Sequence, residues 1–195
     1  IPLSVPCLGP EEAEAVSRCV ESGWVSNVSP QVKEFEHQFS EKLGAGHAVA
    51  TTSGTAALHL AMIALEIGPG DEVIVPALSF IATVNPVRYV GATPVFVDAE
   101  GDTLGIDPKA VEAAITPKTK AIVVTHLYGI PARIQELQAI AQRHNLFLIE
   151  DAAEALGATV KNASGQEQHV GTFGTVGCFS FNGNKVITCG GGGML

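Results

Sequence analysis

Positive charge is scarce in this sequence. Its 195 residues hold 11 lysines and arginines against 20 aspartates and glutamates, a formal net charge of −9. No basic run is present that could follow a phosphate backbone, so nucleic acid is not expected as a partner. Long apolar runs are missing as well. Stretches such as Ala121 to Val124 and Leu146 to Ile149 fall far short of the roughly 20 residues that cross a bilayer, and no membrane span is expected. Cysteine is present but unpatterned: Cys7, Cys19, Cys178 and Cys189 form no C-x-x-C pair, which fits neither a zinc site nor a secreted disulfide framework and points to a reducing cytoplasm. Ile1 to Leu8 lack a basic segment followed by an apolar one, so they do not read as a signal peptide. The chain has no initiator Met, which leads us to expect residues before Ile1, and Gly190 to Leu195 carry no sign of a closing helix or strand, which suggests truncation.

What is there is an apolar, regularly alternating chain. At 46% apolar residues it can bury a sizeable core. From residue 47 onward short β-branched runs alternate with segments of helical period, the pattern of strands joined by crossover helices. The expected strands are His47 to Thr51, Glu72 to Val75, Pro94 to Val97, Ala121 to Val124, Phe147 to Ile149 and Val176 to Phe181. The expected helices between them are Thr55 to Leu65, Ala82 to Val90, Pro108 to Ala114 and Ile134 to His144. This argues a mainly parallel α/β sheet with helices on both faces. Before residue 47, Pro10 to Glu21 and Pro30 to Lys42 read as two helices packing beside the sheet. The chain therefore divides into an N-terminal helical segment, 1–46, and an α/β domain, 47–195.

In open α/β sheets ligands collect at the carboxyl ends of the strands, which gives the loops there priority. Ser53-Gly54-Thr55 stands between a strand and a helix, where glycine lets backbone N–H groups approach an anion. A plain helix cap is the competing reading. Ile149-Glu150-Asp151 ends an apolar strand with two carboxylates, one of which could hold a cationic ring nitrogen; Asp151 could equally cap the following turn. Glu154 lies three residues on. Phe179-Ser180-Phe181-Asn182-Gly183-Asn184-Lys185 places a lysine just after a strand and before the glycines 190–193. A P-loop is rejected, because Gly177 to Gly183 is one residue too long and Val186 follows the lysine; the dinucleotide fingerprint fails because Val49 stands where its third glycine belongs. A phosphate cup, a strand-end aspartate and a lysine in a small-residue loop together form the set that pyridoxal phosphate requires. His126, at the carboxyl edge after a strand, is a candidate to line the site, although a structural role is the commoner one. Trp24 is more in keeping with a core position than with a sugar contact.

These segments, with Gly23-Trp24-Val25-Ser26, Pro86-Val87-Arg88-Tyr89 and Ile149-Glu150-Asp151-Ala152-Ala153-Glu154, give the chain a resemblance to the DegT/DnrJ/EryC1/StrS family of sugar aminotransferases over nearly all of its length. The resemblance implies a fold type I large domain without its C-terminal small domain, and a homodimer with a shared active site. It implies Lys185 as the catalytic Schiff-base lysine and Asp151 as the partner of the pyridine nitrogen. The phosphate would be held by the start of the helix, at Gly54, Thr55 and Ala56, with the Ser180 hydroxyl, and Phe80 would stack on the cofactor. Glu154 replaces the Gln or His of many members. The Gly-Asn-Lys form resembles the branch that aminates C4 of a 4-keto-6-deoxy nucleotide sugar, as in legionaminic-acid-type and perosamine-type pathways of cell-surface glycans, with glutamate as amino donor. A sister branch that dehydrates C3 has histidine at the lysine position, and Lys185 argues against it. A non-catalytic regulator or an inactive fragment keeping the fold is the remaining alternative.

Overall fold

A computed structural model describes residues 5–195. The strands are β1 (Ala50–Thr51), β2 (Glu72–Pro76), β3 (Thr93–Val97), β4 (Thr119–Thr125), β5 (Phe147–Asp151), β6 (Thr159–Lys161), β7 (Glu167–His169), β8 (Val176–Ser180) and β9 (Gly193–Met194). The helices are α1 (Pro10–Ser22), α2 (Pro30–Leu43), α3 (Gly54–Ala64), α4 (Asn85–Tyr89), α5 (Pro108–Ala114) and α6 (Ile134–His144). Seven strands form one sheet in the order β1-β9-β8-β5-β4-β2-β3, while β6 and β7 pair separately. The five strands from β3 to β8 in that order run parallel, and β9 is antiparallel to both of its neighbours. The mainly parallel sheet expected from the alternation is therefore present.

The strand sequences dictate which helix covers which face, because side chains alternate along a strand. Val73, Val75, Ala121, Val123 and Ile149 pack with Ala57, Leu58 and Met62 of α3 and Val87 of α4. Their neighbours Ile74, Ile122, Val124 and Leu148 pack on the other side with Val111 of α5 and Ile134, Leu137 and Ile140 of α6. Strands buried on both faces read as continuous apolar runs, as β4 does.

The N-terminal helices differ sharply. Phe35 and Phe39 of α2 meet Phe181 and Phe179 edge to face, with ring centroids 5.3 and 5.1 Å apart, and Leu43 joins the cluster that contains Met194. By contrast α1 has no buried residue, and Trp24 just after it is half exposed, so it is not the core tryptophan that its type suggests.

Three departures from the expected elements have physical causes. The helix expected over 82–90 is a 3₁₀ turn, Ile81–Thr83, followed by the short α4. Pro86 cannot donate to the carbonyl of Ala82, and its ring would collide with it, so a continuous helix is broken there. The glycine run does include a strand, β9, inserted between β1 and β8. A side-chain carbon at Gly193 would fall 2.4 Å from the Ser53 carbonyl carbon, so glycine is required by close approach of two backbones. The β6–β7 hairpin turns on Asn162, whose Oδ1 accepts from the N–H groups of Ser164 and Gln166, and on Gly165 at φ +80°.

Candidate active site

The carboxyl ends of β2, β4, β5 and β8 open into one cleft of about 380 Å³. Its walls are Thr52 to Thr55 from the start of α3, Ser79, Phe80 and Thr83 after β2, Thr125 at the end of β4, Asp151 and Glu154 at and after β5, and Ser180, Asn182, Asn184 and Lys185 at and after β8. Seven of the eight residues singled out in the sequence, namely Gly54, Thr55, Phe80, Asp151, Glu154, Ser180 and Lys185, line it. Ala56 is the exception. It is not among the lining residues, and its N–H donates to the capping Ser53 Oγ at 3.1 Å, so the cap hydroxyl already uses the donor expected to face an anion.

Glycine at 54 is required by packing. A side-chain carbon there would sit 2.9 Å from Ser180 Cβ, so its absence lets the first turn of α3 abut the end of β8. The free N–H groups of that turn and the Ser180 hydroxyl thereby belong to one wall, a donor set suited to an anion.

Asp151 is buried, at 5% exposure. Its Oδ2 accepts from the Thr83 hydroxyl at 2.6 Å and its Oδ1 from the Ala153 N–H at 3.2 Å. Burial pushes its carboxyl above the ordinary range, and these two donors only partly offset that. Lys185 Nζ donates to Glu154 Oε1 at 3.0 Å, and Glu154 Oε2 accepts from the Tyr128 N–H at 2.9 Å. Burial opposes ionisation of Glu154, but the Tyr128 N–H and the Lys185 ammonium outweigh it and hold the carboxyl below its usual range. Tyr128 presents that N–H from a left-handed backbone, φ 53°, in the loop after β4.

The two carboxylates ending β5 point opposite ways, as adjacent strand residues must. Glu150 is fully buried behind the cleft. Its oxygens accept from the N–H groups of Gly171, Phe173 and Gly174 at 2.6 to 2.7 Å and from His126 Nε2 at 3.0 Å. His126 Nδ1 accepts from the Ala132 N–H at 3.1 Å, so Nε2 is the nitrogen that donates to Glu150. The expectation that His126 could line the site is thus corrected: its ring is fully buried behind β5, although its own N–H donates to the Asp151 carbonyl.

Thr83 and Thr125 escaped the sequence reading, while Ser79 lies in a loop at a strand's carboxyl end, where ligand contacts were expected. Ser79, Thr83 and Thr125 are hydrogen-bonded to one another and to Asp151. Thr83 was concealed inside an apparently regular helix, and the signal that could have exposed it is Pro86.

Comparison with known proteins agrees with this geometry. Residues 6–195 match the family described as the DegT/DnrJ/EryC1/StrS aminotransferase family. The chain belongs to that family. Two relatives named GDP-perosamine synthase are similar over the whole chain: that of Caulobacter vibrioides is 47% identical and that of Escherichia coli O157:H7 46%, the chain covering 51% and 52% of their lengths. The chain therefore spans about half the length of the curated relatives it matches. An aminotransferase of Psychrobacter cryohalolentis superposes with a TM-score of 0.90 at 41% identity, over 98% of this chain and 48% of that one. A Streptococcus pneumoniae protein solved in PLP and PMP forms superposes with a TM-score of 0.93 at 35% identity, over the whole of this chain and 52% and 51% of those chains. Pyridoxal phosphate is the cofactor of this aminotransferase fold, and the cleft has what it needs: an anion-binding helix start, a buried carboxylate short of donors, and an amine.

Proposed function

We propose that this chain is the cofactor-binding part of an aminotransferase that converts a nucleotide-linked 4-keto-6-deoxy sugar to its 4-amino sugar, with glutamate as amino donor. The observation that carries the reading is that Lys185, Asp151 and the start of α3, which lie far apart in sequence, face one cleft. The two relatives named GDP-perosamine synthase support the choice of sugar chemistry. Residues 47–195 form the cofactor-binding domain in this reading and 1–46 an N-terminal helical segment.

In the cleft the N–H groups of Gly54 and Thr55 and the Ser180 hydroxyl would hold the phosphate, and Phe80, exposed at the rim, would cover the ring. Asp151 would accept a hydrogen bond from the ring nitrogen and, by its charge, favour that nitrogen's protonated form. When bound, pyridoxal phosphate supplies an electron sink and carries the amino group from donor to sugar. Lys185 would hold the cofactor through Nζ, and its amine would move a proton at Nζ as base and then acid. Glu154 and the Tyr128 N–H orient that amine through the bonds described above. The apolar surface that α1 leaves open, with Val16 and Val20 exposed, supports assembly as a homodimer with a shared site. No described helix is long and apolar enough to cross a membrane. In this reading the protein works in the cytoplasm, supplying precursors of cell-surface polysaccharide.

The test is product analysis with the protein that carries this chain, pyridoxal phosphate, glutamate and a panel of nucleotide 4-keto-6-deoxy sugars. The expected result is formation of 2-oxoglutarate and a 4-amino sugar in equal amounts. Sugar dehydration without 2-oxoglutarate, or no reaction with any 4-keto sugar, would overturn it.

A further inference from the structure

A chain of three hydroxyls runs across the carboxyl ends of three adjacent strands and terminates on Asp151. Thr83 Oγ1 lies 2.6 Å from Asp151 Oδ2, Ser79 Oγ lies 2.6 Å from Thr83 Oγ1, and Thr125 Oγ1 lies 3.1 Å from Ser79 Oγ. Each hydroxyl has one proton to give. If Asp151 is ionised, Thr83 spends its proton on the carboxylate, so Ser79 must donate to Thr83 and Thr125 to Ser79. All three dipoles then point toward Asp151. Thr83 is fully buried, and its position rests on the break in the helix at Pro86.

We propose that Thr83, backed by Ser79 and Thr125, is a positioning residue of the cofactor site: its hydroxyl fixes the Asp151 carboxylate in its rotamer and stabilises its charge. The inference rests on the pyridoxal-phosphate reading and deepens it. A carboxylate buried this far needs donors to remain ionised, and among the described residues the Asp151 side chain has only Thr83 and the Ala153 N–H as donors. The Ala153 bond is a local one to the next turn, whereas the Thr83 bond spans 68 residues and joins the loop after β2 to the end of β5. Hydrogen bonds in series polarise one another, so the two hydroxyls behind Thr83 strengthen the one that touches the carboxylate. The other ionisable groups facing Asp151 are Lys185 across the cleft, His126 behind it and the Cys178 thiol on β8, which burial pushes well up with a further push from Asp151 and Glu150. None of these donates a hydrogen bond to the Asp151 side chain.

The experiment compares wild type with Thr83→Val, Thr83→Ser and Ser79→Ala in the protein that carries this chain. Two quantities are read: the dissociation constant of pyridoxal phosphate, and the pH midpoint of the Asp151 carboxyl in cofactor-free protein, followed by carbon-13 NMR. Thr83→Val is expected to weaken cofactor binding by about ten- to hundred-fold, the effect of losing a hydrogen bond to a charged group, and to raise the Asp151 midpoint. Thr83→Ser restores both to within about three-fold and a fraction of a pH unit. Ser79→Ala, which leaves every bond to Asp151 in place, moves both in the same direction by less, about two- to five-fold in affinity. Should Thr83→Val fail to fold, the Ser79→Ala shift decides the matter. Wild-type binding with unchanged affinity and midpoint in Thr83→Val, or unchanged values in Ser79→Ala if the former does not fold, overturns this inference alone. Absence of pyridoxal-phosphate binding by wild type overturns the functional reading and this inference with it.

Discussion

Glu150 and Asp151 are consecutive, both end β5 and both are buried, yet they differ in how completely they are satisfied. Glu150 has four donors, three backbone N–H groups of one loop and the His126 imidazole, and faces away from the cleft. Asp151 has two donors and faces into it. A saturated buried carboxylate ties a structure together. An undersatisfied one at a cleft is reserved for a partner that arrives later, because its desolvation is not yet compensated. Glu150 joins the 171–174 loop to the end of β4, and Asp151 is left short of a donor where a ring N–H would fit.

The largest way to break this comparison is Glu150→Ala. Three N–H groups and His126 would lose their acceptor, and stability should fall by about 3–5 kcal/mol, measured by urea denaturation of the cofactor-free protein. A loss below about 1 kcal/mol would mean that Glu150 is not the tie described. Asp151→Asn should do the reverse, leaving stability near pH 7 unchanged or raised while cofactor affinity falls by roughly 1.5–3 kcal/mol, read by equilibrium dialysis. A fall in stability comparable to that of Glu150→Ala would erase the distinction.

Acid–base behaviour sharpens the contrast further. Burial holds the Asp151 carboxyl above the value it has in the unfolded chain, so the folded state keeps its proton over a pH interval in which the unfolded state has lost it. Its contribution is fully present below the unfolded value and is lost as pH rises through the raised folded value. The stability of cofactor-free wild type relative to Asp151→Asn should therefore decline across that interval. A difference that does not change with pH would contradict the assignment. The smallest expected effect is that of Glu154→Gln. It keeps an acceptor for the Tyr128 N–H and removes the charge opposite Lys185. Because that pair is partly exposed, unfolding should show a change below about 1 kcal/mol.

The sequence made the sheet legible because β2, β4 and β5 are apolar on both faces and their turns carry Gly and Pro. It made Lys185 legible because a lysine after a strand, between glycines, fits few packing roles. It left open which of Glu150 and Asp151 faces the ligand, since that depends on strand parity relative to the cleft, and parity is fixed only once the register with β4 and β8 exists. His126 has the structural role that its type made the commoner expectation. Thr83 was hidden because a proline three residues on, Pro86, turns an amphipathic helix into a 3₁₀ turn plus a short helix. The strand β9 was hidden because it follows a run of glycines and itself begins with one, Gly193, set by its close approach to Ser53 rather than by strand propensity. Trp24 and α1 were read as packed from residue type and period, but among the described residues none buries α1, and Trp24 is half exposed.

The central claim is that Lys185 holds pyridoxal phosphate in the cleft that Asp151 completes. Absorbance of the protein that carries this chain, titrated with pyridoxal phosphate, tests it most directly. The account predicts a visible band from the lysine-linked cofactor, bleached by glutamate and absent in Lys185→Ala. A wild type without that band, or a band that persists unchanged in Lys185→Ala, would contradict it.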